Sequence, residues 1–232
     1  MKTLYQNIQP NKTRLILLVL FGGATVFSVV LFRLRTILSG GSEDYMFLLW
    51  NIFLAWIPLG LAYMANSFSW NRKTLIFVMP FAAILWLLFF PNAPYILTDL
   101  LHLAYPREYI PVWFDVLLIL WFSWTGLSIG IVSLFMMQDI VRREFGHVAG
   151  WGFVGIVGLL TSLGIYIGRF LRWNSWDVIL NPQTKLMEFL YYATHPSLQS
   201  IIFITIFAAL FIFIYITVYT FGLLLQEQTQ KI

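Results

Sequence analysis

The stretch Phe89–Leu103, FFPNAPYILTDLLHL, sets four groups that could do chemistry among leucines. Tyr95, Thr98, Asp99 and His102 fall at i, i+3, i+4 and i+7, which is one stripe of an α-helix. An Asp and a His three residues apart can share a divalent cation, as paired Glu-x-x-His motifs do in di-iron bundles. Here there is one such pair, no second copy and no cysteine, so no metal site is predicted. A second polar stretch is Gly164–Pro182, GIYIGRFLRWNSWDVILNP. Tyr166 and Arg169 lie three apart on one face, Arg172 follows, and then come Asn174, Ser175 and Asp177. An arginine among aromatic rings can grip a phosphate or carboxylate through two parallel hydrogen bonds. The candidate binding set is therefore Asn92, Tyr95, Thr98, Asp99, His102, Tyr166, Arg169, Arg172, Asn174 and Asp177. A plainer reading stands beside it. Asn92 and Asp99 would cap turns, His102 would be a satisfied interface group, and Arg169 and Arg172 would reach to lipid headgroups.

The elements that carry these groups follow from composition. Of 232 residues, 60% are hydrophobic and 10% charged, against roughly 25% charged in a soluble domain. So few charges cannot cover a soluble surface, and the excess apolar residues must face lipid. The net charge of +4 is scattered, with no basic run of the kind that binds nucleic acid. Six segments are long and apolar enough to span a bilayer: Leu15–Phe32, Tyr45–Met64, Thr74–Phe90, Val112–Met137, Val148–Gly168 and Leu198–Leu225. The first follows Lys2, Lys12 and Arg14 and lacks a clear small-residue cleavage site, so it reads as a retained helix. The expected fold is all-α, a single transmembrane domain of six helices over residues 1–232.

Pro91 and Pro94 lack amide donors and disfavour helix in the residues before them, so the third span should break at Pro-Asn-Ala-Pro. Asn92 would then cap a new helix. If Asp99 sits at membrane depth it needs a cation, and Arg169, always charged and able to bind a carboxylate in two places, should meet it together with His102 and Asp177. Loops after the first, third and fifth spans share one side of the membrane and, with their flanking turns, carry most of the acidic residues. Ser42, Glu43, Asp44 and Asp115 precede or open helices and read as capping or dipole partners. Asn51, deep in the second span, should hydrogen-bond another helix. Gly126 and Gly130, with Gly158 and Gly164, predict close contact between the fourth and fifth spans. Residues Pro182–Tyr192 read as a short helix on the membrane surface, with His195 after it. Eight Lys and Arg lie on the side of the termini (Lys2, Lys12, Arg14, Arg72, Lys73, Arg142, Arg143, Lys231) and six on the other, which puts both termini in the cytoplasm.

The stretches YMFLLWNIFLAWIPLGLA (45–62), WLLFFPNAPYILTDLLHL (86–103) and GIYIGRFLRWNSWDVILNP (164–182) resemble the bacterial integral membrane proteins grouped as domain of unknown function 1361. The resemblance implies a multi-pass protein of the bacterial plasma membrane. It brings no activity, cofactor or catalytic residue.

Three function classes remain open. The first is a site at the outer membrane face that binds or acts on a lipid or cell-envelope precursor. The second is a small transporter or channel subunit. The third is a structural partner in a membrane complex. Neither His-Glu-x-x-His nor Gly-x-Ser-x-Gly is present, so no catalytic role is assigned. Depth separates the first two. A transport path needs polar groups that continue to the opposite face, whereas an interfacial site does not.

Overall fold

The computed structural model describes residues 10–68, 78–104, 110–173 and 180–229. Every regular element among them is helical, in the order α1 (Pro10–Leu38), α2 (Met46–Phe68), α3 (Met79–Phe89), α4 (Asn92–Tyr95), a 3₁₀ segment (Ile96–Ala104), α5 (Val112–Phe145), α6 (His147–Phe170), α7 (Pro182–Thr194) and α8 (Leu198–Thr229). Six stretches are long and apolar enough to cross a membrane, with α3, α4 and the 3₁₀ segment together forming the third. The fold is an all-helical bundle, as expected.

Helix α5 is the axis of that bundle. It packs against α1, α2, the 3₁₀ segment and α6. Leu118, Ile119, Phe122, Ile129 and Leu134 along it are fully buried. Helices α1 and α8 lie at the periphery and expose rows of large apolar side chains, Val19 and Val26 on one and Ile206 and Phe213 on the other. Hydrocarbon is the medium that such faces need. The layers are tied by bonds that satisfy polar groups inside the protein. The Trp86 indole donates to Ser133 Oγ at 2.7 Å, and the Ser133 hydroxyl donates to the Pro58 carbonyl at 2.9 Å, which joins α2, α3 and α5.

The interruption of the third span is gentler than the sequence suggests. Phe90 and Pro91 keep right-handed helical angles, and the Tyr95 amide still bonds the Pro91 carbonyl at 3.0 Å. What changes is the pitch. The Ala93 amide bonds three residues back, to the Phe90 carbonyl at 3.1 Å, and the chain then runs on as a 3₁₀ helix. Asn92 does not cap the new turn, because Pro91 holds that position and no side chain caps it. Instead the Asn92 amide donates backward to the Phe89 carbonyl at 2.8 Å. Proline removes amide donors from this stretch, and Asn92 supplies a replacement from a side chain.

The glycine expectation needs correction. A Cβ on Gly126 would lie 2.6 Å from Ile96 Cδ1 and 2.9 Å from the Ala93 carbonyl oxygen, and one on Gly130 would lie 3.0 Å from Ala93 Cβ. A Cβ on Gly164 would lie 2.9 Å from Pro91 Cγ, and one on Gly158 would lie 2.7 Å from Ile212 Cγ1. So these glycines do not bring α5 and α6 together. Those of α5, with Gly164 of α6, grip the proline turn of the third span, and Gly158 seats α8. The physical rule is the expected one, close approach where Cβ is missing, but the partners differ.

Candidate functional site

At one end of the bundle the 3₁₀ segment meets α2 and α6. Asp99 is 1% exposed. Arg169 donates from Nη2 to Asp99 Oδ1 and binds the Thr98 hydroxyl oxygen through Nε at 3.0 Å and Nη2 at 2.7 Å. The Asn51 amide donates to Asp99 Oδ2 at 2.9 Å, so Asn51 finds its partner on another helix. The Thr98 hydroxyl donates to the Tyr95 carbonyl at 2.7 Å, and the centre of the Tyr95 ring lies 4.5 Å from the Arg169 guanidinium carbon. The ion pair predicted between Asp99 and Arg169 is present, with each carboxylate oxygen bonded.

His102 is more exposed. Its Nδ1 lies 3.1 Å from the Asp99 carbonyl and 3.9 Å from Asp99 Oδ1, and its ring stacks near Phe47 at 4.5 Å. A cation shared by Asp99 and His102 would have to displace Arg169 or Asn51 from the carboxylate. Among the described residues no three His, Asp or Glu side chains gather as metal ligands. The 3₁₀ pitch also divides the stripe. With three residues per turn, Asp99 and His102 form one row and Tyr95 and Thr98 the next.

Tyr166 departs from Arg169. Its ring packs on Phe170 and Phe203 at 4.9 and 5.9 Å. Arg172 is exposed and adopts φ 58°, in the left-handed region. Asn174 and Asp177 lie outside the described residues. The structure thus brings Tyr95, Thr98, Asp99, His102 and Arg169 together, sends Tyr166 to a different neighbourhood, and places Asn92 a turn below.

A second buried ion pair lies at the same end and was not read from the sequence. Arg35, wholly buried, donates from Nε to Asp115 Oδ1 at 2.9 Å, with Asp44 Oδ2 3.9 Å from its Nη2 and the Tyr45 ring beneath it at 4.2 Å. Asp115 is therefore an arginine partner and not merely a first-turn acid. Arg35 Nη1 has no hydrogen-bond partner among the described residues. No local pattern links residues 80 positions apart. The available signal was an Arg at the end of the first span opposite an Asp at the start of the fourth. Because the pair is dry, Arg35→Ala should cost about 3–5 kcal/mol of stability by stranding the Asp115 charge. Chemical denaturation in detergent measures it, and a loss below about 1 kcal/mol would show the pair to be solvated.

Next to Tyr166 is a cavity of about 320 Å³, where the end of α6 faces α7 and the start of α8. Leu163, Ile167, Phe189 and Ile204 form apolar walls, and Tyr166, Tyr191, Tyr192, His195, Ser197 and Ser200 bring polar atoms. An open apolar groove runs beside it along α8, past Ile202, Phe203, Ile206 and Leu210. The sequence marked Tyr166 and the position of His195, but only the return of α7 onto α6 and α8 makes a cavity of them.

The opposite end is held differently. Arg142 bonds Asp139 at 2.8 Å and the Tyr219 hydroxyl at 3.3 Å, and Arg143 donates to Asn66 Oδ1 at 2.8 Å. Deeper in, the Tyr215 hydroxyl donates to Gln138 Oε1 at 2.5 Å.

A helical bundle with six helices long and apolar enough to cross a membrane defines a polytopic integral membrane protein. The family profile described as "Protein of unknown function (DUF1361)" matches residues 50–217. The chain belongs to that family. No curated protein and no solved structure matches it.

Proposed function

We propose that the chain binds an amphiphile, a lipid or lipid-linked envelope precursor, at the end of the bundle that holds Asp99 and Arg169. Its polar head would occupy the cavity between α6, α7 and α8, and its chain would lie along the α8 groove. The observation that carries this reading is the pairing of the two spaces. A cavity with phenol, imidazole and hydroxyl groups adjoins an apolar groove on a lipid-facing helix. The hydroxyls of Tyr166, Tyr191 and Tyr192 make no hydrogen bond among the described residues, and all three tyrosines line the cavity. Asp99 and Arg169 pair with each other, and their part is to fix α6 against the third span, which holds the cavity wall in place.

The transport reading has less support. Ser133 and Gln138, buried along the middle of the bundle, bond residues of other helices, whereas Ser162 bonds the Gly158 carbonyl of its own helix. The first two tie helices together, and Thr161, a buried hydroxyl without a partner among the described residues, is a single group and not a continuous polar path.

A phospholipid with a photoreactive acyl chain tests the proposal. Irradiation should label the segment from Leu163 to Leu210. Ile204→Trp, which fills the cavity, should remove that label and leave labelling of α1 unchanged. Equal labelling of the α6–α8 segment in wild type and variant would overturn the reading.

We further infer that the protein sits in the bacterial plasma membrane with its termini in the cytoplasm and the cavity outside. The support is the distribution of Lys and Arg. A reporter active only in the cytoplasm should work when fused after Ile232. Activity of a periplasmic reporter at that point would reverse the orientation.

A further inference from the structure

We propose that Arg172 recognises a phosphate on the bound head, so that the amphiphile is a phosphate ester. The proposal rests on the amphiphile reading above and adds the chemical class of the head. Among the described residues three cations stand beside the cavity's lining residues, in sequence or in contact, although none of the three lines it. Arg169 is neutralised by Asp99. Lys185 bonds Glu188 at 2.9 Å and sits 4.5 Å from the centre of the Trp173 ring. Arg172 is exposed and makes no ion pair or side-chain hydrogen bond among the described residues. The neighbours on either side of it, Leu171 and Trp173, both line the cavity, so the backbone carries Arg172 along the rim.

The backbone gives a second, independent reason. Helix α6 ends with Leu171 as its C-cap, and Arg172 follows at φ 58°. Helices commonly place glycine there, because a Cβ is disfavoured in the left-handed region. Among the described residues Arg172 is the one non-glycine residue with positive φ. An arginine in that place holds a cation at the expense of backbone ease, and strained residues of this kind gather at ligand sites. An arginine needed only to reach the headgroups could stand anywhere on the last turn of α6, with no such strain. Its planar fork matches two phosphate oxygens at once.

The test compares retention of phosphatidylglycerol and of glucosyldiacylglycerol, an uncharged lipid without phosphate, with identical acyl chains by the purified full chain, read by native mass spectrometry during stepwise delipidation. Wild type should prefer phosphatidylglycerol by about tenfold, the size of one charge-assisted contact. Arg172→Gly should abolish the preference while the melting temperature stays the same or rises, because glycine relieves the left-handed strain. Arg172→Gln, which keeps the strain and loses the charge, should abolish it too. An unchanged preference in both variants would overturn the role of Arg172, and the amphiphile reading would stand if Ile204→Trp still removed retention. A melting temperature that falls together with the preference in Arg172→Gly would assign Arg172 to structure and overturn the proposal. Failure of the wild type to retain either lipid would overturn both readings.

Discussion

Arg169→Ala and Asp99→Ala should each lower folding stability by about 3–5 kcal/mol, because each leaves the other charge buried without its partner. The side chains are 13% and 1% exposed, so water cannot replace the lost contact. Arg169→Ala also strips Thr98 of both guanidinium bonds. The double variant should be less harmful than the sum of the two, with a coupling of about 1–3 kcal/mol. Asn51→Ala, which removes one bond to the carboxylate, should cost about 1–2 kcal/mol. Denaturation in detergent gives all four values. Strict additivity of the two single losses would mean that the pair contributes no mutual stabilisation, and the end of the bundle would then be held by apolar packing alone.

The contrast between the two ion pairs shows what the sequence could carry. Asp99 was traceable to Arg169 because both stand in unusual local contexts, one after two prolines and the other among aromatics at a span end. Burial energetics then required them to meet. Arg35 and Asp115 have no such context. Each has a bland local account, a charge at a helix end, and that account is satisfied whether or not the two touch. Only the packing of α1 on α5 decides the matter. Spans were legible for a similar reason. Twenty apolar residues are a local property, whereas the partner of a glycine face is not. Gly126 and Gly130 announce that something approaches closely, and nothing in their spacing says whether it is α6 or the proline turn. The cavity was the least legible feature, since its walls come from three elements brought together by the return of α7.

The glycine grip on the proline turn should matter to the polar site as well as to stability. Gly126 sits against the Ala93 carbonyl and the Ile96 side chain, and the Ile96 carbonyl accepts from the Ser123 hydroxyl at 2.9 Å. Asp99 lies three residues further on, one turn of the 3₁₀ segment. A side chain at Gly126 cannot be absorbed by a flexible neighbour, because one of the atoms that it meets is backbone. Gly126→Ala should therefore cost about 1–3 kcal/mol by overpacking. Gly155→Ala should cost under about 0.5 kcal/mol, because a Cβ there meets nothing within 4 Å. The sharper expectation concerns coupling. Shifting the turn outward moves Asp99 relative to α6, and a charge-assisted bond weakens quickly with distance and angle. The Asp99–Arg169 coupling, measured again by the double-variant cycle in a Gly126→Ala background, should fall to less than about half its value in the wild type. Loss of stability with an unchanged coupling would show that the glycines only fill space. A fall in both would show that the proline turn and the glycines opposite it are what aim Asp99 at Arg169.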